Sequence, residues 1–473
     1  MDSVQSAQPN NEGGKNLYSA LKNLMIQRVP AYANRVFYSL GFLSMTSFLL
    51  VVLSGMVLVL FGPDWWLTTR FGLFTRSIHL WATQAFIVFI LLHLLIVFLT
   101  SGYKKPRRLT WVFGALMLFL AMFEAEFGYG LRGDFSSQWR TLQASDFYNG
   151  SGLGHLINNL NYAQIYGIHI IFIPIILLAL LFLHYLLVRT RGIAKPYRKD
   201  VKYEMVRANH KVLFLRGTVL AGAIVVLALV FPSPLILPTT IKDVAEQSPA
   251  LTARTIISEI ARTSDTATYM DNIDPYTFDT RKIYAENPYS QYIAISGGTN
   301  RMSGFLAESV SAQNADMQSA TEYFSSGGSL SFDPSEKNPV ISIASDLTKM
   351  AQSGLYSAAL ESQEGENGLN GTYVDRFLSD TGLLEAKAQN LGITTDQYGM
   401  LHEENGFLPG AWWLAPLGVL DHTILASDPN QDRDGAEILG ILILLLVAFP
   451  YIPGLNRIPE KLGVEKFFWK QRP

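Results

Sequence analysis

Six long apolar runs alternate with polar segments along the chain. They lie near residues 37–61, 78–100, 110–129, 163–188, 214–236 and 436–454. Each has about the 20 residues that an α-helix needs to cross roughly 30 Å of hydrocarbon. Before them, residues 16–29 alternate apolar and basic positions at helical spacing, which predicts an amphipathic helix along the membrane surface. The pattern predicts an all-α membrane protein with six transmembrane helices.

The polar stretch between the fifth and sixth runs is long enough to form a domain. Residues 240–434 hold 27 acidic and 11 basic side chains, a net charge of −16, whereas the whole chain has a net charge of −2. The stretch is rich in Ser, Asn, Gly and Asp and contains helical segments such as 344–361. We expect an inserted domain that is mainly helical or α+β.

The pattern divides the chain into five segments. Residues 1–35 form a polar N-terminal segment, 36–196 hold four runs expected to pack as a bundle, and 197–238 hold a loop and the fifth helix. Residues 239–434 are the insertion, and 435–473 are the sixth helix with a basic tail.

Basic residues lie on one side of the predicted membrane. They occur in the N-terminal segment, in the loop 103–108, in residues 189–202 after the fourth run, and in the C-terminal tail. Lys and Arg are enriched in cytoplasmic loops. Both termini are therefore expected in the cytoplasm and the acidic insertion outside it.

The composition supports this class and excludes others. Hydrophobic residues make up 49% of the chain and charged residues 16%, against about a quarter charged in soluble proteins. The small net charge excludes a nucleic-acid-binding protein. Cys is absent, so this chain holds no disulfide, no iron–sulfur cluster and no thioether-linked haem.

Four histidines occur at two matched intervals. His79 and His93 stand at i and i+14 in the second run, and His169 and His184 stand at i and i+15 in the fourth. That interval rises about 21–22 Å along an α-helix and returns to nearly the same face. Two facing helices would then offer an imidazole pair near each membrane surface, and imidazole is an axial ligand of haem iron. The alternative is hydrogen-bonded core histidines.

Four glycines repeat the first of these intervals. Gly41 and Gly55 stand at i and i+14 in the first run, and Gly114 and Gly128 do the same in the third. One explanation is that small residues let membrane helices pack closely. The shared interval favours another, namely room for a flat macrocycle at two heights. The first four runs are therefore expected to form a bundle around two haems.

Longer strings carry a family resemblance. They are VPAYANRVFYSLG (29–41), RSIH (76–79), LTSGYKKPRRLTWVFG (99–114), FGYGL (127–131), H-x4-P from His169 to Pro174, and VRTRGIAKP (188–196). In these strings the chain resembles the cytochrome b family, most of all its cytochrome b6 branch, over residues 28 to about 240 and the last run. The resemblance implies two non-covalent b-type haems.

The resemblance also implies roles for single residues. His79 and His169 match the ligands of the outer haem, and His93 and His184 match those of the haem nearer the cytoplasm. Arg76 matches an arginine that pairs with a haem propionate.

Three further bases, Lys104, Arg107 and Arg189, fall where the family has bases near the inner haem and the inner quinone pocket. Positive charge on the cytoplasmic side explains these three equally well.

The chain departs from the family pattern at three places. Ser39 stands where the b6 branch has the Cys that attaches an extra haem. Leu80 replaces the arginine that follows the first haem histidine. Residues 128–139, GYGLRGDFSSQW, lack the Pro-Trp-Gly corner of the family.

The outer quinol loop of the family carries Pro-Glu-Trp-Tyr, and its Glu accepts a proton from quinol. The nearest counterpart here is residues 409–416, which align Trp412 and Trp413 with the Trp-Tyr pair but place Gly410 and Ala411 at the Glu. The alternative is a plain aromatic segment at the membrane interface.

A substitute proton acceptor is therefore expected among nearby carboxylates, because a carboxyl beside the membrane is suited to proton exchange. Glu126 and Glu404 are the first candidates, ahead of Glu124, Asp134, Glu403 and Asp421.

The function implied by the resemblance is that of the dihaem cytochrome b subunit in a bc- or b6f-type complex, which couples quinol oxidation outside and quinone reduction inside to proton translocation. Expected partners are membrane quinone, an iron–sulfur (Rieske-like) or c-type cytochrome subunit, and a subunit supplying further helices. The complex is expected to be homodimeric and to lie in a bacterial cytoplasmic membrane.

Two other functions stay open. One is a one-way quinone reductase fed by an extracytoplasmic cytochrome, and the other is a non-redox scaffold that presents the acidic domain.

Overall fold

The computed structural model describes residues 26–154, 156–196, 201–268, 278–364 and 372–469. The chain divides into two compact units. The first falls within Met1–Met122, Ile175–Ser233 and Leu442–Pro473, and the second within Phe123–Pro174 and Pro234–Ile441.

Six helices in the described part of the chain are long and apolar enough to cross a membrane. They are α1 (Leu40–Phe61), α2 (Arg70–Leu99), α3 (Arg108–Gly130), α4 (Tyr162–Arg191), α5 (His210–Val230) and α6 (Arg433–Tyr451). Each coincides with one predicted apolar run. The predicted class, an all-α membrane protein with six spanning helices, is confirmed.

Polar side chains mark where these helices begin. The Thr69 hydroxyl accepts a hydrogen bond from the Gly72 N–H at the start of α2, and Asn209 accepts one from Val212 before α5. Such caps satisfy backbone donors that have no partner inside the helix. The interiors of these helices are apolar, which suits lipid because a helix satisfies the hydrogen bonds of its own backbone.

In the first unit, α1, α2 and α5 pack against one another. The rings of Phe42 and Phe214 meet edge-on with centroids 5.5 Å apart, and the Trp81 indole N–H donates to the Phe231 carbonyl at 2.8 Å. A Cβ on Gly217 would lie 2.9 Å from the Phe42 ring. The bare glycine therefore allows α1 and α5 to come close.

A two-stranded antiparallel sheet precedes α1 and α5. Arg28–Pro30 pairs with Met205–Arg207. The predicted amphipathic helix over 16–29 falls mainly on residues 16–25, which lie outside the described ranges, and its last residues belong to this strand.

The second unit contains a helical domain built around helix Pro339–Gln352, most of whose residues are buried. The helices that pack on it are Ile241–Gln247, Pro249–Ala261, Asn287–Ser296, Arg301–Ala307, Val310–Ser325 and Leu355–Glu361. Within the described part of 239–434 the regular elements are helices, apart from an isolated bridge between His402 and Pro409.

Helix Phe135–Gly150 belongs to the same core. Phe135 and Leu142 are buried with the residues of the insertion, and Arg376 in helix Thr372–Asp380 donates to Asp146 at 2.8 Å. The sequence division placed this helix in the bundle segment 36–196. Its apolar face instead packs with the residues that follow the fifth span.

Candidate functional site

Each of the four glycines at the repeated interval faces one of the four histidines. A Cβ added to Gly41 would lie 3.3 Å from Cε1 of His93. A Cβ added to Gly55 would lie 3.2 Å from Cε1 of His79. These two contacts join α1 to α2 within the first unit.

The second pair of glycines repeats the arrangement between α3 and α4. The corresponding distances are 3.4 Å from Gly114 to His184 and 2.8 Å from Gly128 to His169, again to Cε1. The bare backbone thus makes room for an imidazole at all four positions.

The longer histidine interval in α4, i to i+15, has a structural cause. Residues Ile168–Phe172 form a π-helical turn, in which the Ile173 N–H donates to the Ile168 carbonyl five residues back. Such a turn takes up one extra residue. His169 and His184 therefore keep nearly the angular relation that an i to i+14 interval gives in a regular helix. Within the first unit, His93 and His184 are close enough to interact electrostatically.

Hydrogen bonds orient the imidazoles of two histidines. His79 Nδ1 lies 3.0 Å from Ser54 Oγ, and that hydroxyl donates its own hydrogen to the Leu50 carbonyl at 2.6 Å. His169 Nδ1 lies 2.9 Å from the Glu124 carbonyl oxygen. A carbonyl oxygen only accepts, so Nδ1 of His169 carries the hydrogen. Both Nδ1 atoms are occupied by a hydrogen-bond partner. Nε2 is then the nitrogen with the lone pair that binds iron.

A second cluster surrounds Arg132, in the second unit just after α3. Arg132 donates to Glu403 Oε2 at 2.5 Å and lies 2.9 Å from Asp134 Oδ2. The Tyr129 hydroxyl donates to the other Glu403 oxygen at 2.8 Å. The Arg132 side chain is 9% exposed and those of Asp134 and Glu403 are fully buried. Contacts of this kind between opposite charges offset the free-energy cost of removing each charge from water.

The two neighbouring glutamates differ in their electrostatics. Burial raises the pKa of Glu403, but the charges of Arg132 and Arg140 outweigh burial, so its pKa lies below the usual value. Burial raises the pKa of Glu404 to about 7 against the weaker effect of Arg132, whose Nη2 is 3.6 Å away. Glu403 is therefore held as an ion pair, whereas Glu404 exchanges a proton near neutral pH.

The aromatic segment 409–416 lies against this cluster. Trp413 is 4% exposed, and its ring centroid is 6.1 Å from that of Tyr129. Its indole N–H is buried with no hydrogen-bond partner among the described residues. A buried indole N–H normally has a partner, so this donor is suited to a ligand.

No side chain fits at Gly410. A Cβ there would lie 2.6 Å from the His402 carbonyl oxygen and 2.8 Å from that of Met400. Both atoms belong to the backbone, which cannot move aside cheaply. The segment therefore has no room for a glutamate at this position.

Comparison with known proteins identifies the family. The family described as "Cytochrome b(N-terminal)/b6/petB" matches residues 84–243. The chain is 30% identical to the cytochrome b6 of Gracilaria tenuistipitata var. liui over an alignment of 190 residues that covers 36% of this chain and 88% of that protein. The chain belongs to the cytochrome b/b6 family.

Two further similarities complete the comparison. The cytochrome b6 of Heliobacterium modesticaldum is 29% identical over 197 residues, covering 37% of this chain and 92% of that protein. A solved chain of a "Hyperthermophilic respiratory Complex III" is similar over 74% of this chain and 96% of its own length, with a TM-score of 0.38 and 16% identity.

Membership of the cytochrome b family implies b-type haems, and the residues present fit such a group. The four glycines lie beside the imidazoles, where a Cβ would stand between 2.8 Å and 3.4 Å from the ring. The Nδ1 hydrogen bonds of His79 and His169 leave the ligand role to Nε2. Neutral imidazole with a hydrogen-bonded Nδ1 is the usual form of a metal-binding histidine.

The basic residues proposed from the sequence have varied surroundings. Arg76 is buried, with 5% of its surface exposed. Arg107 donates to the carbonyls of residues 191, 192 and 193 at distances between 2.7 Å and 3.2 Å, which caps the end of α4. Lys104 pairs with Glu460, and Arg189 is exposed.

Sequence reasoning missed the cluster around Arg132. Tyr129 and Arg132 were seen only as part of a changed family motif, and Glu403 was ranked below Glu404. The sequence contains one indication of this cluster. Arg132 replaces a proline of the family motif at the end of a spanning helix, and an arginine there needs a counter-ion. Which of the distant acids supplies it depends on the tertiary structure.

Proposed function

We propose that this chain is the dihaem cytochrome b subunit of a membrane quinol:electron-acceptor oxidoreductase complex. The observation that carries the proposal is the one-to-one contact of Gly41, Gly55, Gly114 and Gly128 with the four intramembrane histidines. In an ordinary helix bundle there is no reason for each core histidine to face a glycine at a repeated interval. Ionisable residues inside a membrane are functional by default.

His79 and His169 would hold the outer haem through Nε2, and His93 and His184 the inner one. Arg76, buried three residues before His79, would pair with a haem propionate. When bound, two b-type haems supply one-electron transfer across the membrane between an outer quinol and an inner quinone.

At the outer face, the aromatic segment would bind quinol and a nearby carboxylate would accept its proton. The buried indole N–H of Trp413 would donate to a quinol oxygen, with Trp412 beside it at a ring distance of 5.9 Å. Glu404 is the preferred acceptor because its pKa of about 7 matches the operating pH. Glu126 is the second candidate, since its Oε2 is buried without a hydrogen-bond partner in the described part of the chain.

At the cytoplasmic face, Arg189 would attract the quinone that is reduced there. It lies exposed in the last turn of α4. Lys104 pairs with Glu460, and Arg107 donates to the carbonyls at the end of α4. We assign them to the stability of the cytoplasmic ends of the helices.

The proposal requires partners. An iron–sulfur (Rieske-like) or c-type cytochrome subunit would accept the second electron, because a chain without Cys holds neither group. A further subunit would supply additional helices, in a homodimeric complex. We place the complex in a bacterial cytoplasmic membrane with both termini of this chain in the cytoplasm.

The lack of space for a side chain at Gly410 favours one alternative function. If neither Glu404 nor Glu126 accepts the proton, quinol is not oxidised at the outer face, and the chain acts as a one-way quinone reductase fed by an extracytoplasmic cytochrome. The two functions share the four ligands and differ only in the outer site.

A reduced-minus-oxidised spectrum of the purified complex tests the proposal. We expect a b-type α-band and two haems per copy of this chain, all extracted by acidified acetone. A non-redox scaffold would show no such band. Haem retained on this chain after extraction would contradict non-covalent binding.

A further inference from the structure

The geometry points to Glu124 as a positioning residue that sets the redox potential of the outer haem through His169. This inference rests on the proposed function, in which His169 is a haem ligand. His169 Nδ1 lies 2.9 Å from the backbone carbonyl of Glu124 and 3.2 Å from Oε1 of the same residue. One hydrogen is thus shared between a carbonyl and a carboxylate of a single residue.

The side chain of Glu124 is directed at the imidazole and little else. It is 17% exposed, and its second oxygen, Oε2, is buried with no hydrogen-bond partner in the described ranges. His169 itself is held by the π-helical turn Ile168–Phe172 on one side and by Gly128 on the other. The ring has little freedom to turn away from Glu124.

The other ligand proposed for the outer haem has a different neighbour. His79 Nδ1 contacts the neutral hydroxyl of Ser54 at 3.0 Å, and that hydroxyl is committed to the Leu50 carbonyl. The Glu124 carboxyl group lies at Nδ1 of His169, whereas the Ser54 hydroxyl lies at Nδ1 of His79. The two imidazoles therefore differ in the group that contacts Nδ1.

The physical effect follows from the charge of the iron. A carboxylate that accepts the Nδ1 hydrogen makes the imidazole a stronger electron donor. Ferric haem with two neutral imidazoles carries one more positive charge than ferrous haem, so a nearby carboxylate favours the ferric state. Glu124 therefore lowers the midpoint potential of the outer haem, which helps the electron move on toward the inner haem.

Potentiometric titration of the b-type α-band in the intact complex tests this. E124Q keeps an acceptor for the Nδ1 hydrogen and removes the charge. We expect the ferrous-to-ferric ratio of the outer haem at a fixed potential to rise about tenfold, which corresponds to about 59 mV for one electron. The inner haem of the same protein is the internal control and should shift less than about twofold.

E124A, which removes charge and acceptor together, should shift the ratio in the same direction as E124Q, so the test survives if one variant is poorly assembled.

Equal shifts of both haems in E124Q, or no shift in E124Q and E124A, would overturn the role of Glu124 while leaving the dihaem proposal intact. Absence of any b-type band in the wild-type complex would overturn both.

Discussion

A Cβ on Gly128 would lie 2.8 Å from Cε1 of His169, closer than real Cβ atoms approach other atoms. We therefore predict that Gly128→Ala displaces the imidazole and lowers the occupancy of the outer haem. Overpacking of this kind costs about 1–3 kcal/mol. The α-band and a pyridine haemochrome assay of the purified complex measure the loss.

Gly114→Ala is the matched control for this substitution. Its Cβ would lie 3.4 Å from Cε1 of His184, an ordinary contact that small movements relieve. We expect nearly full occupancy of the inner haem. Equal haem loss in the two variants would show that the glycines serve helix packing rather than the imidazoles.

Replacing one inner ligand should remove one haem. We predict that His93→Ala abolishes the inner haem and leaves most of the outer one, because Gly55 and Ser54 hold His79 independently of His93. The haem content per chain should fall to about half, and the redox titration should show a single component. Loss of both haems at once would indicate that the bundle forms only when fully loaded.

The pH dependence of quinol oxidation should report Glu404. Its pKa is raised by burial to about 7, and a base must be deprotonated to accept a proton. Turnover with a quinol analogue is therefore expected to rise with pH through about 7, and Glu404→Gln should flatten that rise and lower turnover about 10²–10⁴-fold.

Glu126→Gln tests the second candidate under the same conditions. A loss confined to this variant would identify Glu126 as the acceptor. If neither variant changes turnover while Arg189→Ala blocks quinone reduction, the one-way quinone reductase replaces the proposed function. Intact haem spectra in all three variants exclude a folding defect.

The ion pair of Arg132 and Glu403 should be costly to break. Arg132→Met removes the cation that contacts two buried carboxylates, Glu403 and Asp134, which typically costs about 3–5 kcal/mol of unfolding free energy. Thermal unfolding of the purified complex measures it. The double variant Arg132→Met/Glu403→Gln should recover part of the loss, and a double variant as unstable as the sum of the single ones would show that the two side chains do not interact.

Charge on the insertion should act on the soluble partner. Residues 240–434 carry a net charge of −16, and attraction between exposed charges is screened beyond roughly 8–10 Å at physiological salt. We expect electron transfer to a basic partner to slow steeply as salt is added. A flat salt dependence would assign the insertion to assembly of the complex.

The interval between residues along a helix explains why the four histidines could be proposed as one set from the sequence. Hydrophobicity marks the spanning helices, and the matched histidine and glycine intervals return to nearly one face by the geometry of the helix alone. These intervals depend on local sequence, so they need no knowledge of the tertiary structure. The approach of Gly55 to the His79 imidazole joins two helices and was not predicted from the sequence.

The outer cluster depends on contacts that no local pattern encodes. Arg132 and Glu403 are 271 residues apart in the chain, and several acids near the aromatic segment were equally plausible counter-ions. From the sequence, Gly410 is only a position at which the family's glutamate is missing. The structure shows that the neighbouring backbone leaves no room for a side chain there. Steric closure and charge pairing are properties of packed backbone, which sequence alone does not describe.

The amino-acid sequence by itself determined the six spanning helices, the four histidines and the cytochrome b family, because apolar length, helical period and motif are all read along one chain. Only the tertiary structure decided that Glu124 stands behind His169 and that Arg132 pairs with Glu403. It also placed helix Phe135–Gly150 in the core of the insertion. Each of these depends on which side chains meet when distant segments exclude water together.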